Sequence, residues 1–139
     1  MNKQNNRPPP TGGMRHIALN IENMAACLHF YKDLLGMSIE WQPDPDNIYL
    51  CSGNDNVALH TSLHPVDREK QALDHLGFIL RKPEDVDAWY AFLLENGVEM
   101  CSKVKQHRDG ARSFYCKDPD GNVVQMIYHP PISEGQGAR

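Results

Sequence analysis

Two short stretches of the chain alternate between apolar and polar residues, as half-buried β-strands do. The first spans residues 15–21 and the second spans residues 74–80. Their apolar residues share one face of each predicted strand: Ile17, Leu19 and Ile21 in the first, and Leu76, Phe78 and Leu80 in the second. Because neighbouring side chains point to opposite faces, His16 and His75 occupy equivalent positions on the other face.

A helix is predicted after each of these strands. Residues 24–35 carry apolar side chains at helical spacing and are followed by Gly36, a signal that ends helices. Residues 83–96 repeat the pattern and are followed by Gly97, and Pro83 suits the first turn of a helix. Each half of the chain therefore begins with a strand and a helix.

The two halves continue in the same order. The spacing that separates His16 from His75 also separates Tyr31 from Tyr90. Three further short strands are predicted in each half: near 38–42, 48–51 and 56–62 in the first, and near 98–105, 111–117 and 122–128 in the second. An internal repeat of this kind arises when neither unit buries its sheet alone.

The predicted fold is therefore α+β, with two β-α-β-β-β modules that form a curved sheet around a cleft. The modules span about 14–62 and 73–129, within one domain at 14–129. Residues 1–13 are rich in Asn and Pro, so we expect a disordered leader there. We expect residues 130–139 to be a similar tail.

Composition narrows the class of partner. A net charge of -4 provides no basic stripe for phosphates, which argues against a nucleic-acid partner. No run of apolar residues is long enough to span a membrane, and the first residues do not resemble an export signal. The four cysteines form no Cys-x-x-Cys pair, which is typical of reduced thiols in a cytoplasmic protein. We therefore expect a cytoplasmic protein without a nucleic-acid partner.

Four polar residues are candidates for chemistry in the cleft. His16 and His75 should face it from the first strand of each module, and imidazole is a common ligand of transition metals. His60 and Gln125 lie on the last strand of each module. A capping or surface role for the histidines, and a hydrogen-bonded sheet amide for Gln125, remain open, because no local motif identifies these residues as metal ligands.

Two longer motifs carry a resemblance to a known family. The helix end Phe30-Tyr31-x-x-Leu34-Leu35-Gly36 and the turn Asp118-Pro119-Asp120-Gly121-Asn122, together with the repeated module, resemble the vicinal-oxygen-chelate superfamily. Glyoxalase I, the extradiol dioxygenases, and the bleomycin and fosfomycin resistance proteins belong to this superfamily.

The resemblance implies a divalent transition metal (Zn, Fe, Ni, Co or Mn) held by the first and last strands of each module. Carried over residue by residue, the metal ligands are His16, His60, His75 and Gln125. Most metal-dependent members have glutamate where Gln125 stands, and a neutral amide binds metal more weakly and cannot act as a base. A gapless pairing of the modules would match Leu59 with Gln125. Strand alternation favours His60 instead, with a single bulge between the modules.

A second local similarity concerns the loop before the final hairpin. Residues 105–108 and 113–115 are similar to the substrate loop of fosfomycin-resistance thiol transferases. This similarity implies that an anionic group of the substrate is bound by Lys105, Arg108, Ser113 and Tyr115.

The expected function is that of a metal-dependent lyase, isomerase or dioxygenase acting on a small oxygenated molecule. Tyr115, or His60 if it is not a ligand, would transfer the proton. One alternative is a fosfomycin-type thiol transferase, and another is a non-catalytic binding protein like those of bleomycin resistance. The family builds its cleft within one chain or across two. Because the modules repeat and the linker near residues 63–72 is short, we expect the eight strands to complete the cleft with or against a second chain, as a homodimer.

Overall fold

The computed structural model describes residues 7, 10, 12–67 and 69–137. Most of the predicted leader, 1–13, and the last two residues of the predicted tail lie outside this part of the chain. Within it, the first module contains four strands: β1 (His16–Ile21), β2 (Ser38–Asp44), β3 (Asn47–Cys51) and β4 (Asn56–Thr61). The second contains β5 (Leu76–Ile79), β6 (Lys105–Gln106), β7 (Arg112–Lys117) and β8 (Val123–Tyr128).

Each module forms its own four-stranded sheet. The strand orders are β1-β4-β3-β2 and β5-β8-β7-β6. In both sheets the first strand of the module runs parallel to its last strand, and the remaining neighbours are antiparallel. A parallel pair needs a crossover connection, which the helix of each module provides. The repeated β-α-β-β-β architecture is therefore confirmed.

The helices begin where the sequence predicts and differ in their interiors. Helix α1 (Met24–Leu28) is capped by the side chain of Asn23 and continues as a π-helical segment, His29–Leu34. In that segment Leu35 N–H donates to the carbonyl of Phe30, five residues earlier. Helix α2 (Pro83–Glu95) begins at its proline as predicted.

The predicted strand at 98–105 is much shorter in the structure. Only Lys105–Gln106 is a strand, and Met100 makes an isolated bridge to Cys116. The amides of Cys101 and Ser102 both donate to the carbonyl of Tyr115, at 2.8 and 3.2 Å. Two donors directed at one carbonyl interrupt the regular alternation of a sheet ladder, so the strand cannot extend through this segment.

The expected tail contains a helix. Residues Pro130–Gly137 form α3, which begins with two prolines, residues that fit a first helical turn. The backbone N–H of His129 donates to the hydroxyl of Ser133, which is buried, at 2.9 Å. The Tyr128 hydroxyl donates to the Glu134 carboxylate. These two contacts attach α3 to the end of β8.

One hydrophobic core joins both modules. It contains residues of both sheets together with side chains of the helices, including Phe30 and Tyr31 of the π-helical segment and Leu93 of α2. Within this core the Tyr31 hydroxyl donates to the Asp118 carboxylate at 2.7 Å, and Asn122 donates to the same carboxylate. Burial, followed by the nearby Asp118 charge, raises the pKa of Tyr31 well above its usual value. The two family-like motifs therefore meet in a buried hydrogen bond between modules.

Replacing Tyr31 by phenylalanine removes the only hydroxyl that the core directs at Asp118 among the described residues. We expect Tyr31→Phe to lower the free energy of unfolding by about 1–3 kcal/mol, because a buried carboxylate oxygen loses one of its two side-chain donors and keeps only Asn122. Urea denaturation followed by circular dichroism measures the change. Tyr49→Phe is the matched control, since Tyr49 is only half-buried. Equal stability of both variants would show that the hydroxyl contributes nothing.

In the part of the chain that the structure describes, no helix has both the length and the apolar character needed to span a membrane.

Candidate metal site

A cavity of about 450 Å³ lies where the first strands of the two modules come together. Its lining includes His16 from the start of β1, His75 from the residue before β5, and Gln125 from the middle of β8. The structure thus brings together three of the four residues that the resemblance suggests as ligands. They come from both modules, so the duplicated fold itself places them around one space.

The two histidines are oriented by oxygen acceptors. His16 Nδ1 lies 2.7 Å from Asn56 Oδ1, and His75 Nδ1 lies 2.7 Å from Asp74 Oδ2. Both oxygens accept hydrogen bonds, so the proton of each neutral imidazole belongs on Nδ1. The lone pair then resides on Nε2, the atom that remains for a ligand. Histidines that bind metals are commonly held by a carbonyl or carboxylate on the other ring nitrogen.

Gln125 lies beside a glycine of the neighbouring strand. Gly77 is paired with Gln125 in the parallel β5–β8 register. A methyl group added at Gly77 would lie 3.8 Å from Gln125 Oε1, so the amide oxygen lies over this position. The side chain is half-buried and lines the cavity. The amide oxygen is therefore in a position to donate a lone pair into the cavity without competing with a larger side chain.

His60 lies outside this cavity. In the β1–β4 register Val57 is beside Ile17, and in the β5–β8 register Val124 is beside Leu76. Because Ile17 and Leu76 are equivalent positions of the two modules, Val57 corresponds to Val124, and the counterpart of Gln125 is Ala58. Ala58 is one position from Leu59 and two from His60. The bulge expected from alternation is absent from the continuous β1–β4 pairing.

His60 instead has partners on the same face of its own sheet. Its Nδ1 lies 2.6 Å from Asn47 Oδ1, and its ring is 5.7 Å from the Tyr49 ring. Tyr49 in turn lies 5.0 Å from the exposed ring of Trp41.

The residues expected to bind an anion fall into two groups. Tyr115 pairs with Gln125 in the β7–β8 register, and its ring lies 5.2 Å from the His75 ring in an edge-to-face arrangement. Lys105 and Arg108 border a separate surface hollow around the β6–β7 turn. Ser113 is buried, with its hydroxyl 3.2 Å from His107 Nε2. Tyr115 therefore contacts candidate metal ligands, whereas Ser113 is the strand partner of Ile127, an apolar residue of the cavity lining.

Sequence reasoning missed a further imidazole in the cavity. His129 follows β8 and lines the same cavity as Gln125 and Ile127. The signal was available, because these residues alternate along one strand face and His129 is the next in the series.

The described residues of one chain do not complete a metal site from charged or imidazole ligands alone. No group of three His, Cys, Asp or Glu residues among them is placed to hold a metal ion. The cavity therefore offers the imidazoles of His16, His75 and His129 and the amide oxygen of Gln125, of which the resemblance implies His16, His75 and Gln125 as ligands. Such a set fits a divalent transition metal that takes its remaining ligands from water, substrate or a second chain.

The cysteines show no sign of a role in the site. All four are free thiols, and Cys27 and Cys116 are buried. Burial, with smaller contributions from Cys101 and Asp118, raises the pKa of Cys116 to about 12. A thiol with this pKa is almost entirely protonated near neutral pH, so Cys116 is a poor nucleophile.

The fold and cavity define a class: a protein of two β-α-β-β-β modules with a histidine-bearing cavity between their first strands. The sequence profile of the Glyoxalase/Bleomycin resistance protein/Dioxygenase superfamily matches residues 13–126. The chain belongs to this superfamily.

Similar proteins include both enzymes and solved structures. The chain is 27% identical over 115 residues to the metallothiol transferase FosB of Staphylococcus epidermidis, covering 82% of this chain and 81% of that protein. It is 26% identical to a manganese-dependent 2,3-dihydroxybiphenyl 1,2-dioxygenase of Geobacillus genomosp. 3, covering 89% of this chain and 40% of the dioxygenase. The crystal structure of a lactoylglutathione lyase from Agrobacterium tumefaciens superposes with a TM-score of 0.70 at 19% identity, covering 86% of this chain and 96% of that one.

Proposed function

We propose that this protein is a metal-dependent enzyme that acts on a small oxygenated molecule in the cavity between its modules. The observation that carries the proposal is the matched pair His16 and His75. Both line one cavity, and both have Nδ1 held by an oxygen so that Nε2 remains for a metal. The names of two similar proteins, a metallothiol transferase and a manganese-dependent dioxygenase, support metal use.

The metal would be a divalent transition ion such as Zn, Fe, Ni, Co or Mn, bound by His16, His75 and Gln125. Bound there, it would act as a Lewis acid toward two neighbouring oxygens of the substrate. Gln125 supplies a neutral oxygen and cannot accept a proton. Tyr115, whose ring lies 5.2 Å from the His75 ring, is the hydroxyl best placed to give or take one.

The direct test is calorimetric titration of Mn²⁺ and Zn²⁺ into protein purified without a histidine tag. The proposal expects saturable binding of one ion per chain. Absence of binding by both ions would favour the alternative of a non-catalytic binding protein. The adjacent, tilted rings of Trp41 and Tyr49 on the first sheet are the feature that supports that alternative.

A thiol transferase reaction is the second candidate, and the resemblance to FosB favours it. Its test is thiol consumption by metal-loaded protein in the presence of fosfomycin. Lys105 and Arg108 would bind the phosphonate only if the β6–β7 turn of one chain reaches the cavity of another, since their hollow is separate from the cavity within one chain. Loss of activity in Arg108→Ala, with metal binding unchanged, would support this reaction.

Assembly as a homodimer is part of the proposal. One described chain offers three proposed ligands, His16, His75 and Gln125, and a second copy would supply further protein ligands. The face of the first sheet that carries Trp41, Tyr49 and His60 also exposes apolar surface, since Trp41 is 58% exposed. An exposed apolar surface of this kind commonly marks an interface.

We expect light scattering at micromolar concentration to give twice the 15.8 kDa mass of the chain. Trp41→Glu should shift the mass toward that of the monomer, because a carboxylate would be buried without a partner in the interface. Leu63→Glu is the control, since Leu63 is also exposed but lies outside the strands. A monomeric wild-type protein would contradict the proposed assembly.

A further inference from the structure

Part of the wall of the cavity that contains His16 and His75 is apolar, and metal binding alone does not require an apolar wall. Apolar side chains form much of its lining, among them Val57, Leu76, Phe78 and Ile127. Its volume of about 450 Å³ lies within the range of pockets that enclose small organic molecules. A site built only to hold a metal and a compact polar substrate has no use for this much apolar surface.

The rim of the cavity also exposes apolar side chains to solvent. Ile79 is 43% exposed and Ile132 is 41% exposed, although both are large aliphatic residues. Exposed aliphatic side chains gathered around a concave site, rather than scattered singly, are typical of a ligand-binding surface. Three of the eight exposed large apolar residues in the described part of the chain, Met14, Ile79 and Ile132, therefore lie together at this cavity.

Ile132 reaches the rim because α3 is held in place. The helix is attached at its first turn by the hydrogen bond from His129 N–H to the buried Ser133 hydroxyl. The Tyr128 hydroxyl adds a second contact, to Glu134. Both contacts flank Ile132 in the chain, so its position follows from the way β8 continues into α3.

We infer that the substrate carries an apolar group of about four or more carbons next to its metal-binding oxygens, and that Ile79, Phe78 and Ile132 contact this group. The inference rests on the proposed function, since it uses the same cavity. It adds a substrate class: an amphipathic molecule with two neighbouring oxygens at one end and an alkyl chain or ring at the other. A compact, fully polar substrate would leave the apolar wall in contact with water.

Two hydroxamates isolate the apolar contribution. Acetohydroxamate and hexanohydroxamate chelate metals through the same two adjacent oxygens and differ by four methylene groups. Each buried methylene contributes about fourfold in affinity. Because the rim is open, we expect hexanohydroxamate to bind at least about tenfold more tightly to the Mn²⁺-loaded protein. Equal affinities would overturn the inference.

A matched pair of variants tests whether α3 supplies the contact. Ile132→Asn should reduce the preference for hexanohydroxamate about threefold or more and leave the affinity for acetohydroxamate unchanged. Leu94→Asn, at a 53% exposed position of α2 outside the cavity, should change neither. If Ile132→Asn keeps the wild-type preference for hexanohydroxamate over acetohydroxamate, Ile132 does not contact the apolar group. Thermal unfolding of both variants verifies that they fold.

The same titrations in metal-free protein separate this inference from the proposed function. If Mn²⁺ does not bind but hexanohydroxamate still binds more tightly than acetohydroxamate, the metal proposal fails and the apolar site stands. If Mn²⁺ binds and the two hydroxamates bind equally, the apolar site fails alone. Dissociation of a dimer by hexanohydroxamate, seen by light scattering, would identify the wall as an interface between copies and overturn the inference.

Discussion

His75→Ala abolishes metal binding if the cavity is the metal site, and this is the largest effect that we expect from a single substitution. His75 is one of three imidazoles that line the cavity, together with His16 and His129, and it is one of the three proposed ligands. Its Nε2 lone pair is directed by the hydrogen bond from Nδ1 to Asp74 Oδ2. With His16 and an uncharged amide left, the loss should exceed about a hundredfold, because each imidazole supplies a strong bond to a transition metal.

Calorimetric titration of Mn²⁺ or Zn²⁺ into wild type and variant measures this loss. His64→Ala is the matched control, because His64 is exposed and does not line the cavity. The control should bind metal as the wild type does. If both variants retain wild-type affinity, the metal lies elsewhere, and the His75 imidazole serves only to pack against Tyr115.

A related prediction concerns Asp74, the residue that orients the His75 imidazole. Its carboxylate is exposed and touches the site only through His75 Nδ1. Asp74→Ala should therefore weaken metal binding by about tenfold and not abolish it, as removal of an orienting partner typically does. A loss as large as that of His75→Ala would mean that Asp74 itself binds the metal.

The sequence was sufficient to predict the fold because each module carries its own local signals. The alternation around His16 and His75 located the first strands, and Pro83 located the start of α2. The equal spacing of the two halves then required both modules to have the same topology, which the two sheets confirm. These signals are short-range, so they can be recognised in one sequence without information on tertiary contacts.

The parts that sequence reasoning missed depend on contacts between distant segments. The register of β4 is set by its parallel pairing with β1, so strand alternation alone could not show that Ala58 is the counterpart of Gln125. The irregular segment before β6 depends on the Tyr115 carbonyl, which accepts two amides from it. Helix α3 depends on Ser133 and on the end of β8. None of these partners is near in sequence or marked by a motif, except Ser133.

In the candidate site, too, the residues marked by local sequence signals were predicted, and the contacts between different strands were not. His16 and His75 were found by symmetry, and the structure places both at one cavity. The edge-to-face contact of Tyr115 with His75 joins β7 to the residue before β5, a neighbour that only the sheet order reveals. The similarity to the substrate loop of fosfomycin-resistance thiol transferases groups Lys105 and Arg108 with Tyr115, but the turn between β6 and β7 places them around a different hollow.

Gln125→Glu should have the opposite effect to His75→Ala and tighten metal binding by at least about tenfold. The substitution keeps the length of the side chain and replaces a neutral oxygen with a charged one beside Gly77, where the amide oxygen already lies. A unit negative charge about 4 Å from a unit positive charge gains about 4 kcal/mol at an effective dielectric constant of 20. Part of this gain is lost to desolvation of the half-buried carboxylate, so tenfold, or about 1.4 kcal/mol, is a conservative expectation.

The control for this charge change is Gln42→Glu, which adds the same charge at an exposed position of β2 outside the cavity. It should leave the affinity for Mn²⁺ within about twofold of wild type, since exposed distant charges are screened by salt. If Gln125→Glu and Gln42→Glu bind Mn²⁺ alike at neutral pH, residue 125 does not contact the metal. The shell would then consist of His16, His75 and groups from outside this chain.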